Sequence, residues 1–237
     1  MGRRRQALHG AALSLLLLAA AAHAQQTDPG DAAALNAVFA KLGQKALSSW
    51  NISGDPCTGA ATDNTNIDNN PPFNPAIKCE CSGGNASVCR VTRLKIYALD
   101  AVGPIPEELW NLTSLTNLNL AQNYLTGPIP SFIGKLAQMQ YLSMGINALS
   151  GPLPKELGNL TNLVSLGIGS NKFNGSLPLE LGNLVKLEQM YIDSAGLSGP
   201  LPASLSRLTK MKILWASDND FTGQIPDYIG SWSLTEL

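Results

Sequence analysis

The 237-residue sequence lacks the residue types that most catalytic sites need. Its only two histidines, His9 and His23, lie within residues 1–24, a segment expected to be removed from the finished protein. Their absence from the rest of the chain excludes Ser–His–Asp and Cys–His catalysis there, together with histidine-based metal sites. No glycine stands in a phosphate-binding G-x-x-x-x-G-K-[ST] or G-x-G-x-x-G string. We therefore expect no enzymatic activity, no cofactor and no metal ion in this chain.

Charge is also scarce, because only 14% of the residues are Asp, Glu, Lys or Arg, and the formal net charge is −1. Removal of residues 1–24 takes away three arginines and leaves 13 basic and 17 acidic side chains, a net charge of −4. A weakly acidic chain without a basic stripe argues against nucleic acid as a partner.

A long apolar run occurs once, at the N-terminus. Three arginines precede the apolar residues 11–22, and an A-x-A cleavage site ends at Ala24. This arrangement predicts a secretory signal peptide over residues 1–24, cut before Gln25. The run is too short to cross a bilayer of about 30 Å, and no second run of spanning length follows. The chain as given is therefore expected to enter the secretory pathway and to be extracellular, without a membrane span of its own.

Cysteine is confined to one region between the signal peptide and the first repeat, at Cys57, Cys79, Cys81 and Cys89. An even set in a secreted chain predicts two disulfides. Cys79 and Cys81 are too close in sequence to bridge each other comfortably, so each should pair with Cys57 or Cys89, and both arrangements remain open. A zinc site is the alternative, but the uneven spacing and the lack of a nearby histidine disfavour it.

What the sequence has in abundance is a repeat with a fixed 24-residue period. A glycine returns at that spacing, at Gly103, Gly127, Gly151, Gly175, Gly199 and Gly223. A proline follows at the third position after each glycine, at Pro106, Pro130, Pro154, Pro178, Pro202 and Pro226. Such a period is typical of a solenoid, in which each repeat forms one coil and buries its apolar face against neighbouring coils. One elongated domain is expected over residues 91–237, with the last coil incomplete.

Apolar residues recur inside the period as regularly as the glycines. An apolar–x–apolar unit, such as Leu118 and Leu120, opens each coil and predicts a short strand with one buried face, so stacked coils should form a parallel sheet. The proline predicts a helical or 3₁₀ return segment. An asparagine follows the strand in four coils, at Asn123, Asn147, Asn171 and Asn219. We expect these asparagines to be buried and to bind backbone groups of their own turn and of the next coil, with Leu99 and Ala195 interrupting the ladder.

Residues 25–90 should form a cap, because the end of a solenoid would otherwise expose the apolar interior of its first coil. A helix is predicted to begin with Asp31 as its N-cap and to end at Gly43. Trp50 and the two disulfides would complete the cap. Residues 58–75 have no apolar period and are expected to be a surface loop.

The repeats resemble a known family. The unit LTNLNLAQNYLTGPIPSFIGKLAQ, residues 115–138, resembles the plant-specific type of leucine-rich repeat with its L-x-G-x-I-P segment. Residues 50–112 resemble more narrowly the start of a plant receptor-like serine/threonine kinase ectodomain, of the group in which a malectin-like domain follows the repeats. The resemblance implies an α/β solenoid with a parallel sheet on its concave face and a disulfide-bearing cap. It also implies that a full-length member carries a membrane span and a cytoplasmic kinase, and so lies at the plasma membrane.

Recognition is the function that remains, and the concave strand face is its expected place. Positions between the buried ones should face solvent there, and one such column reads Lys95, Asn119, Ser143, Gly167, Tyr191 and Trp215. The last coils concentrate aromatic, aliphatic and acidic residues, a composition typical of binding hot spots. The candidate partner-binding residues are Tyr141, Tyr191, Asp193, Ile213, Trp215 and Asp218. The alternative is that exposed strand positions favour aromatic residues for local packing alone.

Two function classes fit these features. One is the extracellular recognition module of a receptor-like kinase, which binds a protein, a peptide or a cell-wall glycan and for which a co-receptor is a further candidate partner. The other is a stand-alone secreted repeat protein, such as a polygalacturonase inhibitor. After Gly230 the sequence opens another coil without a closing cap or cysteine pair, which favours a piece of a longer receptor.

Asn-x-Ser/Thr sequons mark the expected glycan sites, at Asn51, Asn85, Asn111, Asn159 and Asn174. Asn111 and Asn159 stand two full repeat periods apart and therefore occupy the same position in two coils. We expect them to lie on one exposed ridge that carries glycans, because an occupied sequon must be exposed.

Overall fold

The computed structural model describes residues 26–45, 54–68, 72–82 and 87–236. The predicted signal peptide, Trp50 and the sequons at Asn51 and Asn85 lie outside the described residues.

The described residues form one helix in the cap, followed by short strands that alternate with 3₁₀ helices. Helix α1 spans Pro29–Lys41. The strands are, in chain order, β1 (Gln26–Thr27), β2 (Ala76–Ser82), β3 (Val88–Lys95), β4 (Val102–Pro104), β5 (Asn117–Asn119), β6 (Tyr124–Gly127), β7 (Tyr141–Ser143), β8 (Ala148–Pro152), β9 (Ser165–Gly167), β10 (Lys172–Asn174), β11 (Gln189–Tyr191), β12 (Ser198–Pro200), β13 (Ile213–Trp215) and β14 (Asp220–Thr222). The 3₁₀ helices are Gly59–Ala61, Glu107–Asn111, Ser131–Lys135, Lys155–Asn159, Leu179–Asn183, Ala203–Arg207 and Asp227–Ser231.

The repeats stack as predicted. Strands β3, β5, β7, β9, β11 and β13 lie side by side in a parallel sheet, and β2 pairs antiparallel with β3 at the N-terminal edge. The register follows the 24-residue period, so that Asn117 pairs with Tyr141 and Tyr191 pairs with Trp215. The leucine columns fill the space between this sheet and the returning 3₁₀ helices, each of which begins directly after the repeat proline.

Helix α1 begins one turn earlier than the sequence predicts. Asp28 is the N-cap, and its Oδ1 accepts hydrogen bonds from the backbone N–H groups of Gly30 and Asp31. The assignment of Asp31 as the cap was wrong, because Pro29 supplies a first helical residue that needs no N–H partner. The helix ends at Lys41 with Leu42 as its C-cap, and the predicted terminator Gly43 follows with a φ of 65°.

The disulfides join Cys57 to Cys79 and Cys81 to Cys89. The prediction of two bridges, each using one member of the Cys-x-Cys pair, is confirmed, and none of the described cysteines is free. Cys81 and Cys89 face each other across the β2–β3 pair. Cys57 lies outside the sheet, so its bridge fastens the preceding loop to β2.

The asparagine ladder forms, but Asn123 and Asn171 alone are buried as expected, Asn147 and Asn219 are partly exposed, and the direction of the ladder differs. Asn147 Nδ2 donates to the carbonyl of Leu120 at 3.0 Å, and its Oδ1 accepts the N–H of Leu125 at 3.0 Å. Both partners belong to the preceding coil, not to the next one as expected. The next coil is contacted instead by the backbone, since the N–H of Asn147 donates to the carbonyl of Ser170 at 3.1 Å.

A second strand layer flanks the main sheet, and it is interrupted. Strands β4, β6, β8 and β10 form one sheet, whereas β12 and β14 form a separate pair. Gly196 lies at the break with a φ of 79°, and a β-carbon there would lie 2.5 Å from the carbonyl oxygen of Phe173. Glycine is therefore required where Ala195 replaces the ladder asparagine and the neighbouring coil approaches closely.

Candidate ligand-binding face

Equivalent positions of the short strands line up across the main sheet. Their side chains form columns on the concave side of the solenoid. The register confirms the predicted column through Lys95, Asn119, Ser143, Gly167, Tyr191 and Trp215. Neighbouring members lie on adjacent strands, about 4.8 Å apart. The size and polarity of the side chains on this face therefore change from coil to coil.

The aromatic pair at the C-terminal end of this column is its most exposed apolar feature. The rings of Tyr191 and Trp215 meet edge to face, with centroids 5.1 Å apart and planes at 88°. Trp215 is 47% exposed and Tyr191 is half-buried beside it. Burial, with a smaller contribution from the charge of Glu236, raises the pKa of Tyr191, so its hydroxyl stays protonated and can donate a hydrogen bond.

A depression of about 330 Å³ lies next to this pair. Its floor is made of residues without bulky side chains, Gly145, Gly167 and Gly169. Its walls include Ile146, Tyr191, Asp193 and Trp215. A β-carbon on Gly169 would lie 2.8 Å from Oδ1 of Asp193, which places that carboxylate directly against the floor.

A second depression, of about 550 Å³, continues toward the N-terminus. It shares Ser143, Gly167 and Tyr191 with the first, so the two form one groove across the strands. Its lining mixes polar and apolar side chains and includes Asn117, whose enclosed Oδ1 atom has no hydrogen-bond partner in the described protein. Tyr141 stands on this part of the groove and is as exposed as Trp215.

The cap closes the N-terminal end of the groove, which the sequence did not predict. Ile67, expected in a surface loop, is buried, and its carbonyl accepts a hydrogen bond of 2.7 Å from Nζ of Lys95. Lys95 was expected to face solvent but is only 6% exposed, and burial lowers its pKa while Asp68 acts in the opposite direction. Arg93 beside it forms an ion pair of 2.8 Å with Asp68. Both cations are therefore already bound by residues of the cap.

The acidic residues at the other end have no such neutralisation. Among the described residues, neither Asp193 nor Asp218 forms a salt bridge, and Asp218 accepts only a long hydrogen bond of 3.4 Å from the hydroxyl of Ser194. The groove therefore changes from a closed, charge-balanced part at the cap to an aromatic and acidic part at β11 and β13.

The structure brings some of the predicted partner-binding residues together and leaves others apart. Tyr191, Asp193 and Trp215 line one depression, and Tyr141 joins Tyr191 in the other. Ile213 and Asp218 line neither depression. Their roles in binding stay predictions.

Ile146 is a groove residue that sequence reasoning missed. It is 54% exposed and has a φ of 56°, a conformation that is rare for a β-branched residue. The corresponding residues of the other coils are small or polar, namely Ala98, Gln122, Ser170, Ser194 and Asp218. An isoleucine in an otherwise small or polar column was the signal available in the sequence.

The sequons in the described residues lie away from the groove. Asn111 and Asn159 are exposed and end equivalent 3₁₀ helices, so the predicted common ridge exists. Asn174 is exposed on β10 of the flanking sheet. Whether any of them carries a glycan stays a prediction.

Comparisons with known proteins point to one group of proteins. The sequence model of the Leucine Rich Repeat family matches residues 114–136. A probable LRR receptor-like serine/threonine-protein kinase of Arabidopsis thaliana is 56% identical over 90 residues, which are 38% of this chain and 9% of that kinase. The chain thus spans only a small part of the length of the curated relatives that it matches.

Solved structures of plant receptor-kinase ectodomains share the fold. The LRR ectodomain of the Arabidopsis thaliana receptor kinase GASSHO1/SCHENGEN3, in complex with Casparian Strip Integrity Factor 2, has a TM-score of 0.62 and 35% identity, covering 67% of this chain and 19% of that one. The LRR ectodomain of SOBIR1 from the same plant has a TM-score of 0.67 and 26% identity, covering 84% of this chain and 98% of that one.

The likeness to ectodomains agrees with the expectation that this chain is not an enzyme. The described residues are taken up by the cap and the coils, so they contain no kinase domain. Within the same residues, no helix is long and apolar enough to cross a membrane. No group of three or more His, Cys, Asp or Glu side chains in this part of the chain is arranged to hold a metal ion.

Proposed function

Because this chain is a leucine-rich-repeat solenoid with the fold of plant receptor-kinase ectodomains, we propose that it is the extracellular recognition module of a receptor-like kinase. Its ligand is a peptide or protein segment that lies in the groove of the concave face. In the full-length protein a membrane span and a cytoplasmic kinase would transmit binding, with the module at the cell surface.

The Tyr191–Trp215 pair carries this proposal. Two aromatic rings held edge to face, one of them 47% exposed, offer a large and rigid apolar surface at little conformational cost. Such residues are enriched among those that dominate binding energy. The glycine floor next to the pair leaves room for a ligand backbone to approach the sheet.

The part of the groove between β3 and β13 fits an extended peptide segment. From β3 to β13 there are five strand spacings of about 4.8 Å, or about 24 Å, which an extended chain covers with about seven residues. The three sequons of the described coils lie outside the groove, so glycans there would leave it open. The solved structure of the GASSHO1/SCHENGEN3 ectodomain is a complex with Casparian Strip Integrity Factor 2, which supports a ligand-binding role for a solenoid of this type.

Panning of a displayed library of random linear peptides, each of about 12 residues and so long enough to cross the strands from β3 to β13, tests the proposal. The secreted protein is the bait, and the Tyr191→Ala/Trp215→Ala double variant is panned in parallel. We expect selected peptides to lose at least about thirtyfold in affinity for the double variant, as truncated aromatic anchors do. Lys172→Ala, on the flanking sheet, is the control and should bind normally. Peptides that bind the double variant as well as the parent would refute recognition at this face.

A further inference from the structure

We infer that the depression between Ile146 and Trp215 is a subsite for two adjacent features of a peptide ligand: an apolar side chain, and a lysine or arginine beside it. The apolar side chain contacts Ile146, Tyr191 and Trp215 over the glycine floor, and the cation contacts Asp193. This inference rests on the proposed function and specifies the chemistry of its ligand.

The backbone of Ile146 is the first observation behind the subsite. A φ of 56° brings the branched β-carbon of isoleucine against its own backbone, which lowers the stability of the coil. Burial does not offset this loss of stability, because Ile146 remains 54% exposed. The other coils place Ala, Gln, Ser or Asp at this position. An isoleucine that serves neither the backbone nor the core fits a contact made with a ligand.

The glycine floor is the second observation. A β-carbon on Gly145 would lie 3.1 Å from the carbonyl oxygen of Gly169, and one on Gly169 would lie 2.8 Å from the carbonyl oxygen of Asp193. Larger residues would therefore collide with the neighbouring coil and disturb the sheet. With these glycines the space reaches about 330 Å³, at the lower end of the range of ligand pockets, which suits one large side chain.

Charge is the third observation, and it selects the second feature of the ligand. Asp193 borders the floor and forms no salt bridge among the described residues. The cations of the groove, Arg93 and Lys95, lie at its far end and already contact the cap. A ligand cation would thus meet uncompensated negative charge and, beside it, the exposed side chain of Trp215.

The peptides selected against the parent protein test this chemistry directly. We expect them to share a Leu, Ile, Met or aromatic residue within one or two positions of a Lys or Arg. Asp193→Asn should weaken their binding about tenfold, and added salt should remove most of that difference. Asp227→Asn, an exposed aspartate on the last 3₁₀ helix, is the matched control and should have no effect.

Ile146→Gln gives a second readout that a merely structural residue would not produce. The substitution introduces the residue type that the preceding coil has at this position, Gln122. It removes the branched β-carbon and with it the strain at a positive φ. We expect the unfolding midpoint to rise by about 2–4 °C while peptide affinity falls about tenfold. Val102→Gln, which removes an exposed apolar residue of the flanking sheet, should leave affinity unchanged.

The outcomes separate this inference from the proposed function. If selected peptides need Tyr191 and Trp215 but share no cation and bind Asp193→Asn normally, the subsite chemistry is wrong and recognition at the face stands. If Ile146→Gln lowers the unfolding midpoint or leaves affinity unchanged, Ile146 is a structural residue and the subsite is refuted. Binding that ignores the aromatic pair overturns both.

Discussion

Arg90 holds the carboxylate of Asp31 with two hydrogen bonds of 2.9 Å, from Nε to Oδ2 and from Nη2 to Oδ1. The backbone N–H of Val91 donates a third, at 2.8 Å. Asp31 is 1% exposed, so this bidentate pair fastens α1 to β3 in the interior of the cap. The hydrogen bond to Asp31 is also the main cause of the raised pKa of Arg90.

Replacement of Asp31 should destabilise the cap more than replacement of the residue that caps the helix. Asp31→Ala leaves the guanidinium and a buried N–H without their partner, and we expect a loss of about 2–4 kcal/mol in the free energy of unfolding. Asp28→Ala removes only the N-cap and should cost about 1 kcal/mol. Denaturant unfolding of both variants measures the difference, and equal losses would contradict the buried role of Asp31.

Loss of a ladder asparagine should destabilise the middle of the stack without altering ligand binding. The Nδ2 of Asn147 donates to three carbonyls and its Oδ1 accepts one N–H, so Asn147→Ala removes these partners and should cost about 1–3 kcal/mol. Asn183→Ala, at an exposed position on a 3₁₀ helix, should stay within about 0.5 kcal/mol of the parent. Thermal unfolding compares the two, and matching midpoints would mean that the ladder contributes little.

The two disulfides should differ in their contribution to stability. The Cys57–Cys79 bridge spans 22 residues and the Cys81–Cys89 bridge spans 8. On the loop-entropy account, removal of the longer one costs about 3.5 kcal/mol and removal of the shorter one about 2.5 kcal/mol. Paired Cys→Ser variants measured by denaturant unfolding give the order, and non-reducing peptide mapping checks the pairing. Free thiols or a Cys57–Cys89 bridge in that map would contradict the structure.

Glycans should decorate the ridge of the 3₁₀ helices. Asn111 and Asn159 are exposed at equivalent positions, so we expect both to be occupied in plant-expressed protein, as measured by mass spectrometry. Substitution of either by Gln should leave peptide binding unchanged because the ridge lies away from the groove. Two bare sites would count against the ridge as a glycosylated surface.

The repeats could be predicted closely because each of their features is local and recurs. The register of Tyr191 with Trp215 follows from counting one repeat period along the chain, and the 3₁₀ helix after each proline follows from the restricted φ of that residue. The candidate face could be placed for the same reason. Ile146 stands out in its column by residue type, but the positive φ that makes an isoleucine unusual there is not visible in the sequence.

The sequence by itself determined the solenoid, its strand face, its asparagine ladder and the number of disulfides, since a short pattern repeated in every coil leaves one way to bury the leucines. The tertiary structure decided what depends on residues far apart in the chain. It paired Cys57 with Cys79, brought Asp31 into contact with Arg90, and brought the carbonyl of Ile67 to the ammonium group of Lys95. Each of these choices is made by packing of the cap against the first coil, where no repeat constrains the chain.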